Sequence, residues 1–136
     1  MDAIIYARWS SVEQAKGSSL SRQQDLCRAM AKKHGWRVVD EIVDDGVSAF
    51  RGAHAQTGAL GTFIRQVEDG HYPDGIVLIV ERLDRLSRQS PEIAFSSLTR
   101  MTGAGVIVAT VDGDREYKAN EFGMVEIIEI VVKAHL

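Results

Sequence analysis

The chain has 136 residues, a net charge of −3, 45% hydrophobic and 26% charged residues. These values describe one globular domain and exclude a disordered chain, a second domain of ordinary size and a surface that clings to nucleic acid throughout. A single cysteine, Cys27, excludes an internal disulfide and a Cys-rich zinc site, and no apolar run approaches the ~20 residues of a membrane span.

Asp2 stands where a signal peptide would carry positive charge, so a soluble, cytoplasmic protein is expected. Any contact with nucleic acid has to be local. The positive charge is mostly arginine, eleven Arg against five Lys, and Arg grips phosphate in a planar, two-pronged way.

Ala3 to Tyr6 reads as a buried strand that runs straight into the polar Arg8, Ser10, Ser11 and Gln14. Ser19 or Ser21 caps a helix lasting to about His34, with Leu20, Cys27, Met30 and Ala31 on one side and Gly35 to end it. Cys27 therefore reads as a core thiol. Trp36 to Val43 is a second strand, less cleanly patterned, and Asp44 to Thr57 a polar, Gly-containing loop.

From about Gly58 to Asp69, Leu60, Phe63, Ile64 and Val67 recur at helical spacing, and Gly70 stops the pattern. Gly75 to Val80 is apolar on both faces, as a central parallel strand should be. Ser90 before Pro91 and Glu92 starts a helix lasting to about Thr102, and Gly105 to Val111 is another apolar strand.

The last helix starts at Asn120 as N-cap and is apolar around most of its circumference, through Phe122, Met124, Val125, Ile127, Ile128, Ile130, Val131, Val132 and Leu136. Either the fold sandwiches it or, as the preferred reading, part of it meets a partner subunit. Its pattern is still running at Leu136, which suggests a piece of a longer protein.

Strands alternating with helices imply an α/β fold, a mostly parallel sheet with helices on both faces. Functional groups in such sheets collect beyond the carboxyl ends of the strands. Arg8 and Ser10 are placed just past the first strand, and Glu81 to Arg88 just past Gly75 to Val80.

In E-R-L-D-R-L-S-R, Glu81 to Arg88, the residues Arg82, Arg85 and Arg88 recur every three positions and share one side of a helical turn, while Leu83 and Leu86 anchor it. Three guanidinium groups so placed attract a phosphate. The plainer alternative is a solvated basic face neutralised by Glu81 and Asp84.

Ser10 and Ser11 are candidate nucleophiles, which need a base or a cluster of cations to become effective; each also suits a turn or cap. His34, His54, His71 and His135 lie outside both polar stretches, and there is no G-x-S-x-G elbow, phosphate-binding glycine loop or metal-ligand cluster. No metal, nucleotide or other cofactor is expected.

Y-A-R-W-S-S-V-E-Q, then S-L-S-R-Q-Q, D-D-G-V-S-A-F and L-D-R-L-S-R, in that order, make nearly the whole chain resemble the catalytic domain of the serine recombinases, the resolvase/invertase family, in details most like a large serine integrase. The resemblance implies that Ser10 is the nucleophile, attacking a DNA backbone phosphate to give a 5′-phosphoserine link and a 3′-OH. It implies that Arg8, Arg85 and Arg88 hold that phosphate, with Asp84 the acidic residue between them. Gln14 and Gln23 match polar residues supporting the site, Ser48 the active-site loop, and Arg82 lies beside the phosphate-binding motif.

Two positions depart from the family. Where members carry a further loop arginine this chain has Ala55 and Gln56, with Arg51 nearest, and Trp9 replaces a smaller apolar residue. The resemblance further implies one catalytic domain over residues 1–136, with an α/β core to about 118 and from about 120 the start of a long dimerisation helix, cut short here. DNA-binding domains would follow it, and the working assembly would be a homodimer that pairs into a tetramer on DNA. Two other functions fit the same residues, a non-catalytic assembly module of this fold and a flavodoxin-like domain binding a phosphorylated ligand.

Overall fold

The computed structural model describes residues 1–9, 19–45, 58–87 and 90–134. Strand β1 (Asp2–Trp9) pairs in parallel with β2 (Arg37–Asp45) on one side and β3 (Ile76–Val80) on the other. Strand β4 (Val106–Thr110) continues the parallel sheet beyond β3, and β5 (Arg115–Tyr117) closes it antiparallel, giving the order β2-β1-β3-β4-β5. The sheet is mostly parallel, as expected from the strand–helix alternation. β5 was not anticipated, because three residues with one buried side chain carry no readable period.

Alternation along the strands builds two cores. Ile4, Tyr6, Ile76, Leu78, Val80, Val106 and Val108 face one side, Ala3, Ile5, Val77, Ile79 and Ala109 the other. The first side is covered by α2 (Ala59–Glu68), α3 (Pro91–Gly103) and α4 (Met124–Ala134), the second by α1 (Leu20–His34) through Cys27, Met30 and Ala31. β3 lies mid-sheet with all five residues buried, which explains its unbroken I-V-L-I-V.

The helix ends follow local chemistry. Ser19 caps α1 by accepting from the Arg22 amide, and Gly35, at φ 74, closes it by donating to the Ala31 and Lys32 carbonyls. Ser90 caps α3 by accepting from the Ile93 amide, ahead of Pro91.

The last helix differs from expectation. Asn120 sits at φ 66 inside a turn instead of capping, and α4 starts at Met124. Phe122 between the two packs edge-on against Tyr117 and Phe95, which holds the chain out of the helix until Gly123. Within α4, Ile127 and Val131 are buried while Met124, Val125 and Val132 are exposed, Val125 by 67%. The helix thus has one face in the core and an apolar face outside it.

The β1–β2 register is regular except between Ala3 and Ile4, where β2 holds one extra residue. Ala3 pairs with Val38 and Ile4 with Asp40, so Val39 is left over and Arg8 pairs with Asp44.

Candidate active site

Arg8 is part of β1, not beyond it as its polarity suggested, and is buried. Its backbone is gripped at both ends by one side chain. The Arg8 amide donates to Gln23 Oε1 at 3.2 Å, and Gln23 Nε2 donates to the Arg8 carbonyl at 2.9 Å. Gln23 is fully buried on α1, so its amide acts on Arg8 from inside the fold and completes the stripe that Leu20 had been expected to fill.

From this anchorage Arg8 Nη1 reaches the Arg85 carbonyl at 3.4 Å, joining residues 77 positions apart at the carboxyl ends of β1 and β3. Arg85 belongs to a short 3₁₀ turn, Leu83–Leu86, whose two leucines are buried as expected. Arg82 precedes the turn in extended conformation (φ −148, ψ 159). The expected arrangement, with Arg82 and Arg85 on one side of a single helical turn, is therefore not formed.

Each of these cations meets a carboxylate. Arg85 Nη2 donates to Glu81 Oε1 at 2.8 Å, and Arg82 Nε to Asp84 Oδ1 at 3.3 Å. Glu81, Asp84 and Arg85 are all buried, with Arg85 only 1% exposed, whereas Arg82 is partly exposed. The neutralising role foreseen for Glu81 and Asp84 is real, but around Arg85 the face is not solvated. A cation taken out of water needs such a partner, since leaving it uncompensated costs several kcal/mol, roughly 3–5.

A third construction gave no sequence signal. Asp44, near the end of β2, accepts from Tyr6 Oη at 2.8 Å, from the Ala59 amide at 2.6 Å and from the Leu60 amide at 3.1 Å. It thus caps α2 from another element, across 15 residues of chain, where a local search for an N-cap finds only Gly58. A Cβ on Gly58 would lie 2.7 Å from Asp44 Oδ1, so the absent side chain makes room for the carboxylate.

Cys27 faces the sheet. Burial, together with the negative charges of Glu81 and Glu41, pushes its thiol up to about 12, which suits a core residue and not a nucleophile. Among the described residues, no group of three or more His, Cys, Asp or Glu could hold a metal ion. Ser10, Gln14, Ser48, Arg51 and Arg88 lie outside the described residues; Arg8, Gln23, Arg82, Asp84 and Arg85 lie inside them.

Similarity to known proteins converges on one family. A family model for the resolvase N-terminal domain matches residues 3–135. The uncharacterized protein YbcK of Escherichia coli (strain K12) is 35% identical over 139 residues, an overlap of 98% of this chain but 27% of YbcK, so the chain spans well under a third of that relative.

Among solved structures, the N-terminal catalytic domain of TP901-1 integrase matches with a TM-score of 0.70 at 23% identity, over 99% of this chain and 94% of that one. A resolvase family site-specific recombinase from Streptococcus pneumoniae matches with a TM-score of 0.70 at 19% identity, over 99% and 87%. The catalytic domain of ISC1926 TnpA, an IS607-like serine recombinase, gives 0.59 at 22% identity, over 98% and 79%. At such identities the likeness is one of fold.

Proposed function

Because the chain belongs to the resolvase N-terminal domain family and has the fold of serine recombinase catalytic domains, we propose that it cleaves and rejoins DNA at specific sites through Ser10. The observation that carries this reading is the joining of Arg8 and Arg85 beside the strand end from which the chain runs into Ser10. Phosphoryl transfer asks a protein mainly for positioning and charge stabilisation, and a buried arginine cluster provides both without a metal.

In the proposed step, Ser10 Oγ attacks a backbone phosphorus. The Oγ–P bond forms as Oγ gives up its proton, the P–O3′ bond breaks, and the 3′ oxygen departs as a hydroxyl on taking a proton, so one proton is released and one taken up. Arg8, Arg85 and Arg88 stabilise the negative charge on the transferring group, and Asp84 holds Arg82 beside them. Gln23 acts by fixing the Arg8 backbone, with Gln14, Ser48 and Arg51 supporting the substrate from the neighbouring segments. The phosphoserine ester retains the free energy of the phosphodiester, so attack by a 3′-OH reseals DNA without a nucleotide.

The partners follow from the same reading. DNA supplies the phosphate, a second copy of the chain covers the apolar outer face of α4, and two dimers meet on paired sites. The α/β core to about residue 118 would carry the chemistry and the helical segment beyond it the assembly. No helix among the described residues is long and apolar enough to cross a membrane.

The test is covalent trapping. The chain, fused to a heterologous DNA-binding module and shown to occupy paired sites, should yield a protein–DNA adduct with an unblocked 3′-OH on a denaturing gel, abolished by Ser10→Ala. Occupied sites that give no adduct, even with a nicked substrate, would refute the catalytic reading and favour an assembly module.

A further inference from the structure

The Glu81–Arg85 pair is a poor candidate for a stability device. Buried ion pairs seldom outperform well-packed apolar residues of the same volume, because desolvation cancels most of the attraction. Both partners are nonetheless buried, and they span the 3₁₀ turn at i and i+4. What the pair does achieve is geometric: it fixes the direction of one guanidinium group.

Glu81 stands on a rigid base. Its own carbonyl accepts from the Asp112 amide at 3.0 Å, and the preceding Val80 carbonyl accepts from the Val111 amide at 3.0 Å, so the β4–β5 turn holds the end of β3. The carboxylate takes a donor on Arg85 Nη2, one of the five N–H groups a guanidinium carries. The Arg85 carbonyl in turn receives Arg8 Nη1. Glu81, Arg85 and Arg8 therefore form a chain of contacts whose two ends stand on neighbouring strands, Glu81 just past β3 and Arg8 within β1, with Arg85 between them.

We propose that Glu81 is a positioning residue that aims the Arg85 guanidinium, and through the Arg85 backbone Arg8, at the DNA phosphate. The proposal rests on the recombinase reading above for its substrate. Glu81 touches no reacting atom; its effect is to set the direction of the cation before substrate arrives.

Three variants separate aim from charge and from folding, each compared per folded molecule in the DNA-targeted fusion. Glu81→Asp keeps the charge but draws the carboxylate back by about 1.5 Å, one carbon–carbon bond. It should slow adduct formation about tenfold or more, given that displacements of this size cost up to ~10²-fold. Glu81→Gln keeps an acceptor oxygen at full reach and should recover most of that loss. Glu81→Asp in an Arg85→Ala background should cause no further slowing, because nothing remains to aim.

Adduct formation by Glu81→Asp at the parental rate, or an undiminished effect in the Arg85→Ala background, would overturn the proposal. A second measurement is independent of DNA cleavage. In ¹⁵N-resolved NMR of the unfused chain, the Arg85 Nη groups should rotate slowly, with separate resonances in the parent and in Glu81→Gln that merge in Glu81→Asp. If the parental fusion made no adduct, the recombinase reading would fall while these resonances still decided whether Glu81 holds Arg85. Merged resonances in the parent would refute the holding itself.

Discussion

Removing the Asp44 carboxylate tests how one side chain joins a strand, a core hydroxyl and a helix start. Asp44→Ala deletes two amide-to-carboxylate bonds at the start of α2, equivalent to losing a strong N-cap at about 1–2 kcal/mol. It also takes the charged acceptor from the buried Tyr6 hydroxyl, worth about 1.5–3 kcal/mol if fully desolvated. Asp44 is only half-buried, so the lower part of each range applies and the sum is about 2.5–4 kcal/mol.

In a domain of this length such a loss lowers Tm by roughly 8–15 °C, readable by differential scanning calorimetry. Gly58→Ala should destabilise the parent, because its Cβ would sit 2.7 Å from Asp44 Oδ1, but should be harmless or stabilising beside Asp44→Ala. A Tm change under about 2 °C for Asp44→Ala, or a Gly58→Ala penalty that persists beside it, would refute the clamp.

Cys27 should resist thiol reagents at pH 8 in the folded chain, since its thiol is pushed up to about 12 and is buried, and should react at once in denaturant, as a colorimetric thiol titration would show. Asp114 is held below the usual carboxylate range by Lys33 and then His34, as are Asp2 by Arg37 and Glu68 by Arg100. A carboxylate depressed in the folded state stabilises above its unfolded value of about 4 and loses that contribution as pH falls through the folded value. Tm should therefore drop on acidification below about pH 4, less steeply in Asp114→Asn, which also keeps a residue tolerant of φ 45. On α4, Ile127→Ala should cost about 2–5 kcal/mol in denaturant titrations, whereas Val125→Ala should change monomer stability by no more than about 0.5 kcal/mol. Equal costs would mean the outer face is packed after all.

The features legible in the chain were those set by local chemistry. Ser19, Gly35, Ser90 and Pro91 mark helix ends through bonds to their own neighbours, and β3 declares its central place by being apolar throughout. What escaped is decided by partners far along the chain. Arg8 resembles a loop residue until Gln23 satisfies its backbone, and Asp44 caps a helix 15 residues away. Arg85 reads as an exposed cation because the pattern of charges every three residues is silent on burial. Asn120 has the composition of a cap, and only the ring packing of Phe122 turns it into a bend.

The leftover residue in β2 has an effect at the other end of the sheet. In a strand every residue belongs to one of two parities, one for each side of the sheet, and one inserted residue exchanges them from there onward. Without Val39 set aside, Val43 would stand beside Arg8, and the Asp44 carboxylate would turn toward α1, away from Tyr6 and the start of α2. The spacing that lets a carboxylate meet both is thus set five residues earlier in β2, by an exposed valine.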